Sequence, residues 1–306
     1  MKQMIKKGIN YFLDENYRTI INANLGVYDH LPDEKYLRKL FKARLHKELD
    51  LENPQTFNEK LQWLKLYNRK PEYTMMVDKY KVREYIAKTL GEEYLIPLIG
   101  VWDDPDEIEF DALPNQFVLK CNHNSGLGMC ICKDKSKLDI PKVKADLRKG
   151  LRQNYYLTGR EWPYKDVPRR IICEQYMQDD SGTGELADYK VLCFNGEPRL
   201  VEIHHGRFEG IHTQDFYDRN WNKTDFEQPE DPLSNEVMEK PSFADEMFQL
   251  SKILAKDIPH VRVDWYYTGG RLYFGELTFF DGSGFSPFVG DQDRIIGEWI
   301  QLPSKD

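Results

Sequence analysis

The chain has 306 residues, of which 40% are hydrophobic and 31% charged; these are the proportions of a globular protein with a full-sized core, not of a disordered one. Its formal net charge of −8 argues against nucleic acid as the main partner, because phosphate binding needs a basic face. The five cysteines, Cys121, Cys130, Cys132, Cys173 and Cys193, have no paired spacing, which excludes a disulfide framework and fits a reducing cytoplasm.

The first segment places Met4, Ile5, Ile9 and Phe12 on one side of an amphipathic helix. Packing on the body is the expectation, and contact with a membrane surface the alternative. Asn10, Asp14 and Glu15 interrupt the run, so it does not read as a signal peptide. No apolar stretch approaches the ~20 residues of a membrane span. Residues 33–50 are charged and helical in pattern, and Asn53-Pro54 stops them. Thr56-Phe57-Asn58-Glu59 has the form of a capping box. Phe57, Leu61, Trp63 and Leu64 then predict a core-packing helix over 57–67. Asp78 can cap a second helix that carries Val82, Tyr85, Ile86 and Leu90 and ends at Gly91.

From about residue 95 the texture changes to short strands. They are expected over 95–101, 116–121, 129–132, 170–177, 188–194, 198–205, 260–267 and 271–278, with helices near 141–153 and 242–256. Thr268-Gly269-Gly270 and Asn195-Gly196 predict tight hairpins. Tight hairpins mean antiparallel sheets, so the fold class is α+β and not doubly wound. The acidic stretch 225–241 is expected to be a surface loop.

Several segments could carry chemistry. In Phe117-Val118-Leu119-Lys120-Cys121 a lysine interrupts an apolar strand, and the polar loop 122–128 follows with Ser125, Gly126 and Gly128. Glycines admit an anion close to the backbone, and successive N–H groups can cradle phosphate. A hairpin with an exposed lysine is the alternative, and no Walker A pattern is present. Asp264 and Glu276 fall on neighbouring strands of one hairpin, each in an apolar or aromatic run. Two carboxylates on one sheet face repel unless a cation lies between them. Mg²⁺ commonly takes one or two carboxylates together with nucleotide phosphates. Thr278 lies two residues after Glu276 and shares its face. Pairing of one carboxylate with Arg262 or Arg271 accounts for the pattern equally well.

Lys190, in Asp188-Tyr189-Lys190, and Arg207 could face an anionic substrate or a transferring phosphate, or be solvated charges. The strand Ile171-Ile172-Cys173-Glu174-Gln175-Tyr176-Met177 turns polar at its end, as a nucleotide hinge would. Asp281-Gly282-Ser283-Gly284-Phe285 is either an anion nest or a plain turn. His204-His205 has no ligand-spaced partner except His212, and is taken as structural or at most near the site. Cys130 and Cys132 read as same-face strand residues and not as a zinc site. No Ser-His-Asp or Cys-His order stands out, so no covalent enzyme intermediate is suggested.

In this order the segments resemble the ATP-grasp superfamily, and within it the TupA-like ATP-grasp family linked to teichuronopeptide and surface-polysaccharide synthesis. The resemblance rests on NPQTFNEKLQWLK (53–65), VDKYKVREYI (77–86), FVLKCNHNSG (117–126), DYKVLCFNGEP (188–198), RVDWY (262–266) and FGELTF (274–279), and spans roughly residue 33 to the end. It implies an ATP-grasp fold: a helical cap over 1–70, then lobes over 71–173 and 174–306 whose antiparallel sheets sandwich ATP. Lys120 resembles the strand lysine on the ATP phosphates, Lys79 the earlier ATP-side lysine, and Ser125-Gly126 the loop over the phosphates. Glu174, Gln175 and Met177 resemble the adenine hinge. Asp264 and Glu276 resemble the Mg²⁺ ligands. Thr278 stands where many relatives carry Asn, Lys190 where many carry Arg, and Arg207 resembles the arginine near the acyl phosphate.

The implied activity is that of an ATP- and Mg²⁺-dependent carboxylate–amine ligase working through an acyl phosphate. The carboxylate would belong to a hexuronic acid or glutamyl chain of a surface polymer, and the amine to an amino acid or amino sugar. The implied place is the bacterial cytoplasm or the inner face of its membrane, in peripheral contact with polysaccharide assembly machinery. Three alternatives stay open: a glycosyltransferase of the same pathway, a non-catalytic ATP-grasp-like partner, and a kinase.

Overall fold

Among the described residues, helices α1 (Glu15–Asn24) and α2 (Asp33–Leu45) lead up to the capping box. Helix α1 is begun by Asp14, whose side chain accepts from the Tyr17 N–H. Helix α2 buries Tyr36, Leu37, Leu40 and Phe41, and His46 ends it in a left-handed turn. The computed structural model describes residues 10–178, 186–206 and 212–305, so the expected helical face at Met4, Ile5 and Ile9 lies outside the described residues.

Helix α3 (Phe57–Tyr67) starts where its spacing predicts. Thr56 Oγ1 accepts from the Glu59 N–H at 3.3 Å, and Glu59 Oε2 accepts from the Thr56 N–H at 2.9 Å. The helix is more deeply buried than an amphipathic pattern requires: Asn58, Gln62 and Lys65 are buried beside Phe57, Leu61 and Leu64. Helices α4 (Glu72–Val77) and α5 (Val82–Thr89) follow. Asp78 does not cap a helix directly as expected. It closes a turn between the two by accepting from the N–H of Tyr80 at 2.8 Å.

The remaining elements are β1 (Leu98–Trp102), β2 (Phe117–Cys121), β3 (Cys130–Cys132), α6 (Ile140–Arg152), α7 (Tyr156–Gly159), β4 (Ile171–Gln175), β5 (Asp188–Phe194), β6 (Glu197–His205), β7 (Thr213–Asp218), α8 (Ala244–Leu254), β8 (His260–Thr268), β9 (Arg271–Thr278) and α9 (Gln292–Glu298). They form a four-stranded sheet, β1-β4-β2-β3, and a five-stranded sheet, β7-β6-β5-β8-β9. Every pairing between these strands is antiparallel, so the α+β class inferred from the hairpins holds. The two tight turns have the positive φ that type I′ hairpins require: Asn195 and Gly196 at 49° and 82°, Gly269 and Gly270 at 60° and 73°. Strand β7 was not anticipated, because its buried residues include Gln214 and Asp215.

Two apolar cores carry the sheets. Phe117, Leu119, Ile171 and Cys173 pack with Val143 and Leu147 of α6 beneath the smaller sheet. The larger core joins the five-stranded sheet to α2–α5, α8 and α9. Trp265 is its largest fully buried side chain, and its indole N–H donates to Ser251 Oγ at 2.8 Å.

Candidate active site

A cavity of about 490 Å³ lies along the polar face of the five-stranded sheet and is closed from the other side by Lys79, Lys120 and the 124–127 loop. The sheet face follows from register. Lys190 on β5 sits opposite Glu202 on β6 and Asp264 on β8. Directly opposed residues point the same way, so one transverse row reads Glu202, Lys190, Asp264. The β8–β9 register shifts between Val263 and Trp265, so that two residues of β9, Gly275 and Glu276, oppose Asp264. Such a bulge re-aims a side chain, and here it brings Glu276 to the cavity.

Arg262 is the hub of this face. Its Nε and Nη2 donate to Asp264 Oδ1 and Oδ2, both at 2.7 Å, and its Nη1 donates to Asp281. Nη2 also lies 3.6 Å from Glu276 Oε1. The bidentate pair was one of two readings of the sequence. It does not remove Asp264 from the site, since both residues line the cavity. Burial, with Asp188 adding to it, pushes the Asp264 carboxyl up to about 7 against the pull of Arg262 and Lys190. Burial also pushes the Glu276 carboxyl up, but Lys79, Arg262 and Lys120 outweigh it and hold it at about 2.

The other wall is built from the 77–81 turn and strand β2. Asn122 is fully buried and fixes both. Its Nδ2 donates to Asp78 Oδ1 at 2.7 Å and to the Pro168 carbonyl at 2.8 Å, and its Oδ1 accepts from the Arg170 N–H at 2.7 Å. The Lys79 N–H donates to the Asn122 carbonyl at 3.1 Å. The Lys79 ammonium then donates to the Asn124 carbonyl and to Glu276 Oε2, each at 3.0 Å. Beyond this anchor the loop is pinned at its base by Asn124, which donates to Gln153 Oε1 at 3.0 Å. Ser125 and Gly126 are left exposed at its tip.

The proposed site residues do not all meet. Lys79, Lys120, Ser125, Gly126, Lys190, Asp264 and Glu276 meet in the cavity. Glu174 is buried behind it, 2.6 Å from the Lys120 ammonium and 3.4 Å from Arg83 Nη1. Gln175 and Met177 instead line a separate hollow of about 720 Å³ with Gln116 and Tyr273. Thr278, opposite Arg262 in register, is not among the residues that line the main cavity. Arg207 lies outside the described residues.

Sequence reasoning missed three features. Arg262 was weighed only as a partner for a carboxylate; its place two residues before Asp264 on one strand face was the signal. Asp188, paired with Lys190, lines the cavity as well. His204 and Asp231 do too, although His204 was read as structural or at most near the site.

The family description "TupA-like ATPgrasp" matches residues 59–301, most of the chain. The chain belongs to the TupA-like ATP-grasp family. No curated protein sequence matches it. Among solved structures, D-alanine–D-alanine ligase from Bacillus anthracis complexed with ATP is 17% identical, with a TM-score of 0.40 over 67% of this chain and 55% of that one. D-Alanine-D-alanine ligase from Helicobacter pylori is 14% identical, with a TM-score of 0.42 over 80% and 69%. The ATP-grasp ligase PsnB, complexed with a phosphomimetic variant of its minimal precursor, Mg and ADP, is 10% identical, with a TM-score of 0.39 over 84% and 65%. The TupA-like chain thus spans little more than half the length of the B. anthracis ligase. Among the described residues, no helix is long and apolar enough to cross a membrane.

Proposed function

We propose that this TupA-like protein is an ATP-dependent ligase that joins a carboxylate to an amine through an acyl phosphate. One observation carries the reading: a single cavity gathers the cations Lys79, Lys120, Lys190 and Arg262 with the carboxylates Asp264 and Glu276. That is a setting for polyphosphate and for charge that moves between oxygens. In this reading 71–173 and 174–306 are the two lobes that close on ATP, and 1–70 is the cap.

The donor set fits Mg²⁺. Asp264 and Glu276 supply hard oxygen ligands in one cavity. Burial raises the Asp264 carboxyl against the pull of Arg262 and Lys190, and a further cation beside it would favour its charged form. Mg²⁺ held there would neutralise charge on the phosphate oxygens. The chain's own residues do the rest. Lys120 and Lys79 contact the phosphates under the Ser125-Gly126 tip. Lys190 and Arg262 stabilise the charge that develops as the substrate carboxylate attacks the γ-phosphorus and ADP leaves. An amine then attacks the acyl carbon, and phosphate departs. Positioning inside the closed cavity supplies much of the acceleration.

The carboxylate we assign to a uronic acid or glutamyl chain of a surface polymer, and the amine to an amino acid or amino sugar. The test is purified protein with Mg-ATP, a panel of uronates and glutamyl peptides, and hydroxylamine as the trapping amine. Carboxylate-dependent hydroxamate together with ADP supports the ligase. ADP and a stable phosphorylated product without hydroxamate would point to a kinase, and binding of a UDP-sugar without ATP use to a glycosyltransferase.

A further inference from the structure

We propose that Glu202, His204, His212 and Asp231 form the amine end of this site, where an ammonium-bearing acceptor binds and loses the proton that blocks its attack. The proposal rests on the ligase reading above. The four side chains make one unbroken chain. Glu202 Oε1 lies 2.5 Å from His204 Nε2, His204 Nδ1 lies 2.9 Å from His212 Nε2, and His212 Nδ1 lies 2.7 Å from Asp231 Oδ1. The two imidazoles stack at 5.0 Å with 13° between their planes.

Proton counting gives the chain a function. Three hydrogen bonds need three protons. Two neutral imidazoles carry two, and ionised carboxylates carry none. The bonded chain therefore holds one proton more than its neutral imidazoles account for, wherever that proton sits. Without it, the His204–His212 pair has no proton to share between its facing nitrogens and can take one up. The chain thus cycles between two and three protons, a capacity of one.

That capacity matches the reaction. An ammonium, R–NH₃⁺, keeps one of its three protons in the amide. The N–C bond forms, the C–O bond to phosphorus breaks, and the electron pair leaves on phosphate, which departs as HPO₄²⁻ with the second proton. The third must go to a base before attack, and the histidine chain can take it.

Placement supports the role. Glu202, His204 and Asp231 line the same cavity as Lys190 and Arg262. Exposure rises along the chain, from side chains 6% and 9% exposed at Glu202 and His204 to 33% and 28% at His212 and Asp231. It therefore leads a proton from the sheet to solvent. The cavity also adjoins a second hollow of about 350 Å³ through Gln228, Asp231, Gly282 and Ser286. Asp14, Glu230 and Asp231 line that hollow together with Arg44 and His46, so its carboxylates outnumber its one guanidinium, an approach that admits a cationic acceptor.

Hydroxylamine tests this directly, because it is largely unprotonated at neutral pH and needs no base. Full-length wild type, His204→Gln, His212→Gln and Asp231→Asn would be compared with Mg-ATP and the carboxylate panel. The amine would be either hydroxylamine or a panel of amino acids and amino sugars. Thermal unfolding would check each variant, and Asp231, on a loop, guards against a histidine variant that fails to fold. The expected result is amide formation down by on the order of 100-fold, with hydroxamate formation close to wild type. Equal loss of both products, loss of neither, or wild type that makes hydroxamate but no amide with any amine would overturn the proposal. Wild type that makes no hydroxamate at all would sink the ligase reading itself.

Discussion

Lys79 Nζ lies 3.0 Å from Glu276 Oε2, and this one contact joins the turn before α5 to the bulged strand β9 across the cavity. The same ammonium holds the Asn124 carbonyl, so a single charge ties the 124–127 loop to the carboxylate proposed to hold Mg²⁺. Nucleotide phosphates would compete with Glu276 for Lys79. The contact therefore spans the cavity as one that bound phosphate would displace.

Glu276 and Asp264 should separate sharply on mutation. Glu276 keeps 31% of its side chain exposed but pairs with the largely buried Lys79, so Glu276→Ala should cost about 1–3 kcal/mol, less than Asp264→Ala. It should nevertheless abolish the Mg²⁺-dependent thermal shift with ATP, which for wild type at 100 times the dissociation constant is about 2.7 kcal/mol. Asp264 is buried and bidentate with Arg262. Asp264→Ala leaves a buried guanidinium short of its main partner and should cost about 3–5 kcal/mol. Denaturant midpoints of both variants decide the matter; equal costs would mean that the carboxylates are not divided in this way.

Lys65 presents a different test. It is fully buried and donates to the Gly159 carbonyl at 2.7 Å and to the Ser283 carbonyl at 2.8 Å. Burial lowers its pKa to about 7, against the pull of Glu161. A folded value below the unfolded one means that the unfolded chain binds more protons between about 7 and 10.5, so stability should rise with pH across that window. Lys65→Met should flatten this rise. It should also lower turnover, because the 281–284 turn that borders the cavity loses its support. A pH series of midpoints for wild type and variant reads both signs.

These contrasts show what the sequence made legible. Lys120, strand β4 and the two carboxylates could be placed because a charge inside an apolar strand has only two faces to choose between. The capping box at Thr56 is local and was equally plain. The bulge at Gly275-Glu276 was not, because one inserted residue shifts register without leaving a pattern. Strand β7 escaped because Asp215, 1% exposed, is neutralised by Lys223 at 2.8 Å, a partner no period predicts. His204 found its chain through His212 across a hairpin and Asp231 on a loop, relationships that exist only once the sheet is formed.

His260 should dominate the acid limb of stability. It is 1% exposed, stands between Phe57 and Phe194 at 5.0 and 4.9 Å, and neither ring nitrogen has a hydrogen-bond partner. Burial lowers its pKa to about 4. The unfolded chain therefore binds the extra proton between about 4 and 6.5, and stability falls as pH drops through that window. The full loss is roughly 3 kcal/mol, reached below the folded value. His260→Phe keeps the aromatic packing and should remove most of this slope. Urea midpoints at pH 7 and pH 4.5 for both proteins measure it, and an unchanged slope in the variant would assign the acid sensitivity elsewhere.

Gly150 packs α6 against the 122–128 loop, and it gives the most local prediction. A Cβ there would stand 2.7 Å from Cys121 Sγ, 2.8 Å from the Leu127 carbonyl and 2.9 Å from Gly128 Cα. Gly150→Ala must therefore push the loop away from α6, although alanine favours the helix by about 1 kcal/mol. Overpacking of this kind costs about 1–3 kcal/mol, so the net effect on stability should be small. The effect on ATP should not be, because the displaced residues lead from the Ser125-Gly126 tip into β3. Cys121→Ala relieves the sulfur contact but not the two backbone contacts. The double variant should then recover stability and still bind ATP more weakly than wild type. Full recovery of ATP binding would mean that the thiol, and not the backbone, sets the loop's position.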